Sequence, residues 1–248
     1  MMQSWTGPVN HPSKLTRSLG IAFFSFGILA GTLFFALLSW ARLEAFFYFD
    51  YVQAEKTLTT LNCPFVLTTG EQGQVSVTYT NPANRTVSPQ IMTEISSPGL
   101  FRTINTTPTF TAGETKRLQW TVTSQDVVFG YLTLAEVYVS PVYGATDQDA
   151  TCGILWVDLP ELTGSEIFAG VLAASLLCVT LGWGLWTSGR GPLQGGGREV
   201  TRAMLALTSV VLLGMIAGVF GPWLLGVICL GLTVLLVVSI LGYAIQRF

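Results

Sequence analysis

The chain is poor in the residues that carry chemistry. It has one histidine in 248 residues, four cysteines and only 10% charged side chains. The histidine, His11, stands beside Pro12 in a polar tail, where nothing holds a base against a nucleophile. Ser-His and Cys-His catalysis require that contact and are excluded. His-ligated haem, His-containing zinc sites and His-based proton relays fall with them. No Cys-x-x-Cys occurs, so a thioredoxin-like redox motif is absent too. The run 189–198 is glycine-rich and basic, but it lacks the Gly-Lys-Ser/Thr of a phosphate-binding loop and follows an apolar run, not a strand. It reads as a flexible turn whose arginines meet lipid headgroups. Asp147 and Asp149 offer two carboxylates where calcium needs about six to eight oxygens, so a solvated hairpin tip is the expectation there. The sequence points to no enzyme, no cofactor, no metal, no nucleic acid and no small-molecule substrate.

Apolar length is what the chain has in abundance. Half of it is hydrophobic, and four segments (19–41, 165–188, 202–220 and 222–246) stand out. Each provides about the 20 apolar residues that a helix needs to cross a hydrocarbon core of roughly 30 Å. Phe220-Gly221-Pro222-Trp223 separates the last two; Gly and Pro suit a tight turn, and Trp223 suits an interface. Glu166 and Arg202 sit at segment ends, and no Asp, Glu, Lys, Arg or His lies in a segment interior. Ionisable groups inside a span mark ion and proton paths. Transport by this chain alone is therefore not expected.

Charge sets the direction of crossing. Thirteen of the fourteen acids lie between Glu44 and Glu166. Lys14 and Arg17 precede the first segment, Arg190, Arg198 and Arg202 lie between the second and third, and Arg247 follows the fourth. Lys and Arg collect on the cytoplasmic side of spans. The expectation is a multi-pass protein of the plasma (inner) membrane with both termini cytoplasmic, a cytoplasmic tail at 1–18, a cytoplasmic Gly/Arg loop at 189–201 and one acidic extracytoplasmic domain. Ser39-Trp40-Ala41 after the first apolar run also resembles a signal-peptide cleavage site. The run exceeds the roughly 7–15 residues of a signal peptide, which favours a retained anchor. Beyond it, 42–57 reads as an aromatic linker. Phe46, Phe47, Tyr48, Phe49 and Tyr51 suit an interfacial belt, or a continuing helix packed on another subunit.

From 58 to 160 the texture changes to short runs rich in Val, Thr, Ile, Tyr and Phe between turn residues. Strands are expected near 58–63, 74–80, 86–95, 103–110, 116–123, 130–139 and 151–157. Gln74-Val75-Ser76-Val77-Thr78-Tyr79-Thr80 alternates cleanly, as a strand with one buried face does. Such strands at this spacing point to an antiparallel β-sandwich of immunoglobulin-like type, inserted between the first and second helices.

Two stretches carry a family resemblance. One is Val77-Thr78-Tyr79-Thr80-Asn81-Pro82-Ala83-Asn84-Arg85-Thr86-Val87. The other is Phe110-Thr111-Ala112-Gly113-Glu114-Thr115-Lys116, leading into Leu118-Gln119-Trp120-Thr121-Val122. Together they resemble bacterial immunoglobulin-like modules of the CARDB and NEW3 kind, with an Asn-flanked turn after one strand and a Gly-Glu before a Trp-bearing one. The resemblance covers this domain alone and implies an envelope binding or spacer module without catalytic residues.

Cys63 and Cys152 fall in the first and last expected strands. In an oxidising compartment they would pair. Closing a loop of about 90 residues is worth roughly 4–5 kcal/mol on the chain-entropy model. A metal pair is the alternative, but cysteine-only sites want about four ligands. Cys178 and Cys229 lie in apolar segments and read as small buried hydrophobes. Asn84-Arg85-Thr86 and Asn105-Thr106-Thr107 match the N-glycosylation pattern.

Gly27 with Gly31, and Gly214 with Gly218, form two Gly-x-x-x-Gly motifs that let helix backbones approach. Ala169, Gly170, Ala173 and Ala174 add small-x-x-x-small steps in the second segment, and at least one of these motifs is expected to face another subunit. The leading reading is a non-catalytic accessory or scaffold subunit of a larger membrane complex, bound to the bilayer and to other membrane subunits. An envelope adhesion module using Tyr131, Tyr138, Tyr143 and Trp156 is the alternative. A surface enzyme using Glu94, Glu114 or Glu136 is disfavoured, since alternation puts most of them toward solvent.

Overall fold

The computed structural model describes residues 14–49, 54–142, 146–188, 196–220 and 223–246. The chain forms two compact units. One holds the segments up to Ala36 and from Gly170 onward; the other runs from Leu37 to Ala169.

The first unit is helical. α1 (Lys14–Tyr48), α2 (Gly164–Ser188), α3 (Gly196–Phe220) and α4 (Trp223–Gln246) are all long and apolar enough to cross a membrane. α1 and α2 meet backbone to backbone. A β-carbon on Gly27 would come within 2.7 Å of the Val179 nitrogen and 2.8 Å of the Ser175 carbonyl oxygen. The Ser175 hydroxyl donates to the Gly27 carbonyl at 2.8 Å, so the hydroxyl ties two helices together. A β-carbon on Gly31 would meet that same hydroxyl at 2.7 Å, and one on Gly182 would collide with the Phe24 backbone. α3 joins through Gly214, where a β-carbon would lie 2.9 Å from the Phe35 ring, and Gly218 flanks the same residue. Both Gly-x-x-x-Gly motifs therefore pack inside this chain, whereas a β-carbon on Gly170 of α2 would meet nothing within 4 Å. The reason is Val179 opposite Gly27 and Phe35 opposite Gly214, which approach too closely to leave room for a β-carbon.

Two helix boundaries differ from expectation. α3 begins at Gly196, inside the loop expected at 189–201. α1 continues through 42–48, where a linker was expected. Leu43, Glu44 and Ala45 are good helix formers, and the stretch gains a surface to pack on.

The second unit is a two-sheet β-domain. Its larger sheet is ordered β1 (Lys56–Thr57), β9 (Gln148–Val157), β8 (Leu132–Val139), β5 (Ile91–Ser97) and β6 (Leu100–Thr106), with β3 (Val66–Thr68) also on β9. The smaller sheet is β2 (Leu61–Asn62), β4 (Gly73–Thr80) and β7 (Thr115–Val122). The sheets enclose Val75, Val77, Ile91, Ile95, Phe110, Trp120, Val122, Val137 and Ile154.

The expected all-antiparallel sandwich holds for most ladders, but β1 and β3 both run parallel to β9. The expected strand 58–63 is instead a crossing: the chain leaves β9 after Thr57, pairs with β4 through Leu61 and Asn62, and returns to β9 at Val66. Cys63 and Cys152 form a disulfide, which pins the chain to β9 midway between its two visits. Three residues are too few for β3 to show alternation, so Val66–Thr68 gave no strand signal. The expected hairpin tip at Asp147 and Asp149 is also revised, because β9 starts at Gln148. Asp147 caps β1, accepting from the Glu55 N–H at 3.0 Å through its carboxylate and from the Lys56 N–H at 3.3 Å through its carbonyl.

Candidate functional site

The β-domain grips both helix segments that belong to its own unit. On β9, Gly153 leaves a bare patch of backbone, and the Ala41 carbonyl of α1 rests there; any β-carbon would collide with it. Ala41, Ala45 and Phe49 then form a small core with Val128, Leu132 and Leu134. At the other attachment, the Glu71 carboxylate accepts from the Gly164 N–H at 2.7 Å, the Thr68 N–H at 2.8 Å and the Thr68 hydroxyl at 3.0 Å. Gly164 opens α2, so Glu71 caps that helix from a loop of the β-domain. Burial alone would raise the Glu71 pKa, but these three hydrogen bonds outweigh it and hold the carboxyl below its ordinary range. Phe65 stacks on Phe168 at 5.2 Å, and the Arg42 guanidinium lies 5.7 Å over the Phe65 ring.

The sheet face under α1 carries carboxyls. Register places Glu94 of β5 directly beside Glu136 of β8, with Thr103 and Thr151 continuing the row. Asp149 lies one step along β9. Alternation led to the expectation that these glutamates face solvent; both are buried, Glu136 to 1% exposure. The face is covered, which single-strand alternation does not report. Thr103 donates to Glu94 at 3.2 Å. Among the described residues neither oxygen of Glu136 has a hydrogen-bond partner. Its pKa is pushed up to about 8, by burial first and then by the charges of Asp149 and Glu94. Burial also raises Asp149, with Asp147 adding to the effect. Tyr138 is raised by burial and by its hydrogen bond to Asp147, 3.2 Å away. No group of three or more His, Cys, Asp or Glu among the described residues is placed to hold a metal ion.

Aromatics gather at one rim of the same unit. The Tyr48 ring lies 5.3 Å from Phe101 and 6.4 Å from Phe129, and Phe49 lies 5.7 Å from Phe101. Tyr131 is exposed. Trp156 packs on the core and donates to the Thr133 hydroxyl at 2.8 Å, so it serves packing. Tyr143 lies outside the described residues.

The remaining sequence candidates fall into place as structure. Asn81, buried, donates to the carbonyls of Arg85, Phe110 and Thr111 and accepts from the Ala83 N–H. Glu114 accepts from the Thr111 N–H at 2.7 Å. The Asn turn and the Gly-Glu turn of the family resemblance are thus bonded neighbours, joined by Asn81 N–H to Glu114 carbonyl at 2.9 Å. Arg202 is exposed on α3. Lys14 and Arg17 lie on α1 and Arg198 on α3, with side chains outside the described set, while Arg190 and Arg247 lie wholly outside it. Cys178 and Cys229 are free and half-buried.

No family model matches the chain, and no curated protein matches it. Among solved structures, the CARDB domain of a Pyrococcus furiosus protein is 16% identical over 39% of this chain and 90% of that one, at a TM-score of 0.30. A crystal structure of that domain with di-metal ions is 15% identical over 41% and 92%, at 0.29. A Paenibacillus glucanotransferase complexed with cycloisomaltoheptaose is 18% identical over 41% of this chain, at 0.32, and the chain spans 14% of its length.

Proposed function

We propose that this chain is a non-catalytic accessory or scaffold subunit of a larger bacterial membrane complex. In this reading the four helices span the plasma membrane, both termini are cytoplasmic, and the β-domain stands outside. The observation that carries it is the double grip: Gly153 seats the Ala41 backbone and Glu71 caps α2 at Gly164. A tethered sensor gains from a flexible linker, whereas a support gains from fixed attachments. The disulfide agrees with an oxidising outer compartment. Surface on α2 and α4 remains for lipid and neighbours: a β-carbon on Gly170, Gly184 or Gly231 would meet nothing within 4 Å.

Mild-detergent extraction through a C-terminal tag, with mass spectrometry of what accompanies the chain, tests this reading. A fixed set of membrane subunits is the expected result; a lone monodisperse protein would overturn it. The exposed aromatics Phe101, Phe129 and Tyr131 favour a second reading, an envelope adhesion module. Binding of the intact protein to cell-wall material, without membrane partners, would support that one.

A further inference from the structure

The aromatic rim has two properties that folding alone does not explain. Phe129 and Gly130 occupy the centre of the tight turn that leads into β8, with φ of 55° and 80°. The Tyr131 N–H bonds back to the Val128 carbonyl at 3.3 Å, closing the turn. Positive φ at both central positions is the habit of a type I′ turn, where Asn-Gly or Gly-Gly is usual and a bulky ring is an outlier. The ring is also 58% exposed, so the strain is not offset by a core position. It is held outward, 6.4 Å from the ring of Tyr48.

The second property is continuity along one helix. Leu37, Trp40 and Phe47 are exposed on α1 at the spacing of a single face, and Phe47 is 63% exposed. Glu44, on the same face between Trp40 and Phe47, is half-buried. Seven residues at 1.5 Å each put Phe47 about 10 Å beyond Trp40 along the axis. An apolar stripe that passes a carboxylate and ends in aromatic rings matches the layering of a bilayer surface, where acyl chains give way to headgroups and amphipathic rings collect.

We propose that Phe47, Phe101 and Phe129 form a foot by which the β-domain rests on phospholipid, its rings at the headgroup–glycerol level of the outer leaflet. This inference rests on the membrane-spanning reading of the helices and adds a contact of the β-domain itself. A foot of this kind gives the domain a third support besides its two helix attachments. It also accounts for a phenylalanine where asparagine would suit the backbone better.

The test is photo-crosslinking of the full chain in native membranes, with benzoylphenylalanine replacing Phe129. Leu235 of α4, 64% exposed, is the spanning control, and Thr109, exposed in the loop before Phe110, is the aqueous control. The expected result is a phospholipid adduct on the Phe129 peptide by mass spectrometry, comparable to that at Leu235 and at least tenfold above Thr109. A protein adduct at position 129 would overturn the proposal in favour of a partner-docking patch. Adduct at the Thr109 level would place the rings in water and overturn it equally. If Leu235 also gives no lipid adduct, the spanning reading itself has failed, and the foot with it.

Discussion

The Ala41 carbonyl of α1 occupies the space that a β-carbon on Gly153 would need. Helix and sheet are therefore in backbone contact at this point, and no rotamer change can make room. Replacing Gly153 by alanine is expected to cost about 1–3 kcal/mol, the usual range for overpacking, because the main chain must shift. Gly170→Ala, where a β-carbon meets nothing within 4 Å, is the matched control and is expected to cause no loss. Thermal unfolding of the full chain in nanodiscs compares the two.

Glu136 makes the stability of the β-domain depend on pH in an unusual direction. Its folded pKa of about 8 lies above the ordinary value of 4.5, so the folded protein holds a proton that the unfolded chain releases. The corresponding stability is fully present below about pH 4.5 and is lost as pH rises toward 8, at up to about 1.4 kcal/mol per pH unit for one proton. Glu136→Gln is expected to flatten this part of the profile. Melting temperatures of both proteins between pH 5 and 9 should converge at the acid end and separate at the alkaline end, with the variant the more stable there.

Glu71 has the opposite sign. Its carboxyl is held below the ordinary range, so its contribution is present above that range and is lost as pH falls through it. Glu71→Gln keeps the size but not the charge, and weakens three hydrogen bonds including the α2 cap. A loss of about 1–2 kcal/mol at neutral pH is expected, shrinking below about pH 4. Denaturant titrations at pH 7 and pH 3.5 would show the deficit narrowing; a constant deficit would remove the charge from the explanation.

Breaking the Cys63–Cys152 bridge should cost roughly 2–5 kcal/mol. Cys63→Ser, Cys152→Ser and the double variant should be alike, since one bond is lost in each. Unfolding with and without reductant checks this, because reductant should bring the unaltered chain down to the same level and leave the variants unmoved.

Helix glycines divide by what they face. Gly27→Leu would drive a side chain into the Ser175 and Val179 backbone and is expected to unseat α1 from α2. Gly170→Leu leaves the isolated chain intact, and in the accessory reading it reduces what co-purifies. Size-exclusion profiles in detergent, alongside subunit recovery, distinguish a folding defect from a partner defect.

Four apolar helices and a β-unit between the first two could be read from the chain because both signals are local. Twenty apolar residues declare a helix, and Gln74–Thr80 declares a strand by alternation. The disulfide was legible for a related reason, since only two cysteines lie in the β-region. The buried Glu136 was not legible. Leu132 and Leu134 on its face and Ala135, Val137 and Val139 on the other make β8 apolar on both faces, but a glutamate among them reads as the exposed exception, and its cover comes from elsewhere in the chain. Val66–Thr68 was missed because its strand character comes only from pairing with Leu155–Val157. Gly153, inside the strand expected at 151–157, hints at a close backbone approach, but nothing in the sequence says that the approaching backbone is that of Ala41. The sites that matter most to the attachment are thus long-range, and long-range pairing is what a one-dimensional pattern omits.

Strand β9 also dictates when this domain can close. In the larger sheet β1 and β3 pair only with β9, and Cys63 waits 89 residues for its partner. Nothing emerging before residue 148 can complete either arrangement, so closure is a late event dominated by distant contacts, the kind that folds slowly. Only six residues then separate the end of β9 at Val157 from the start of α2 at Gly164. During synthesis, completion of the domain and emergence of the second apolar helix fall almost together. A defect in β9 would accordingly be felt as a defect in biogenesis, with a half-built domain held open while its cysteine remains available to the wrong thiol.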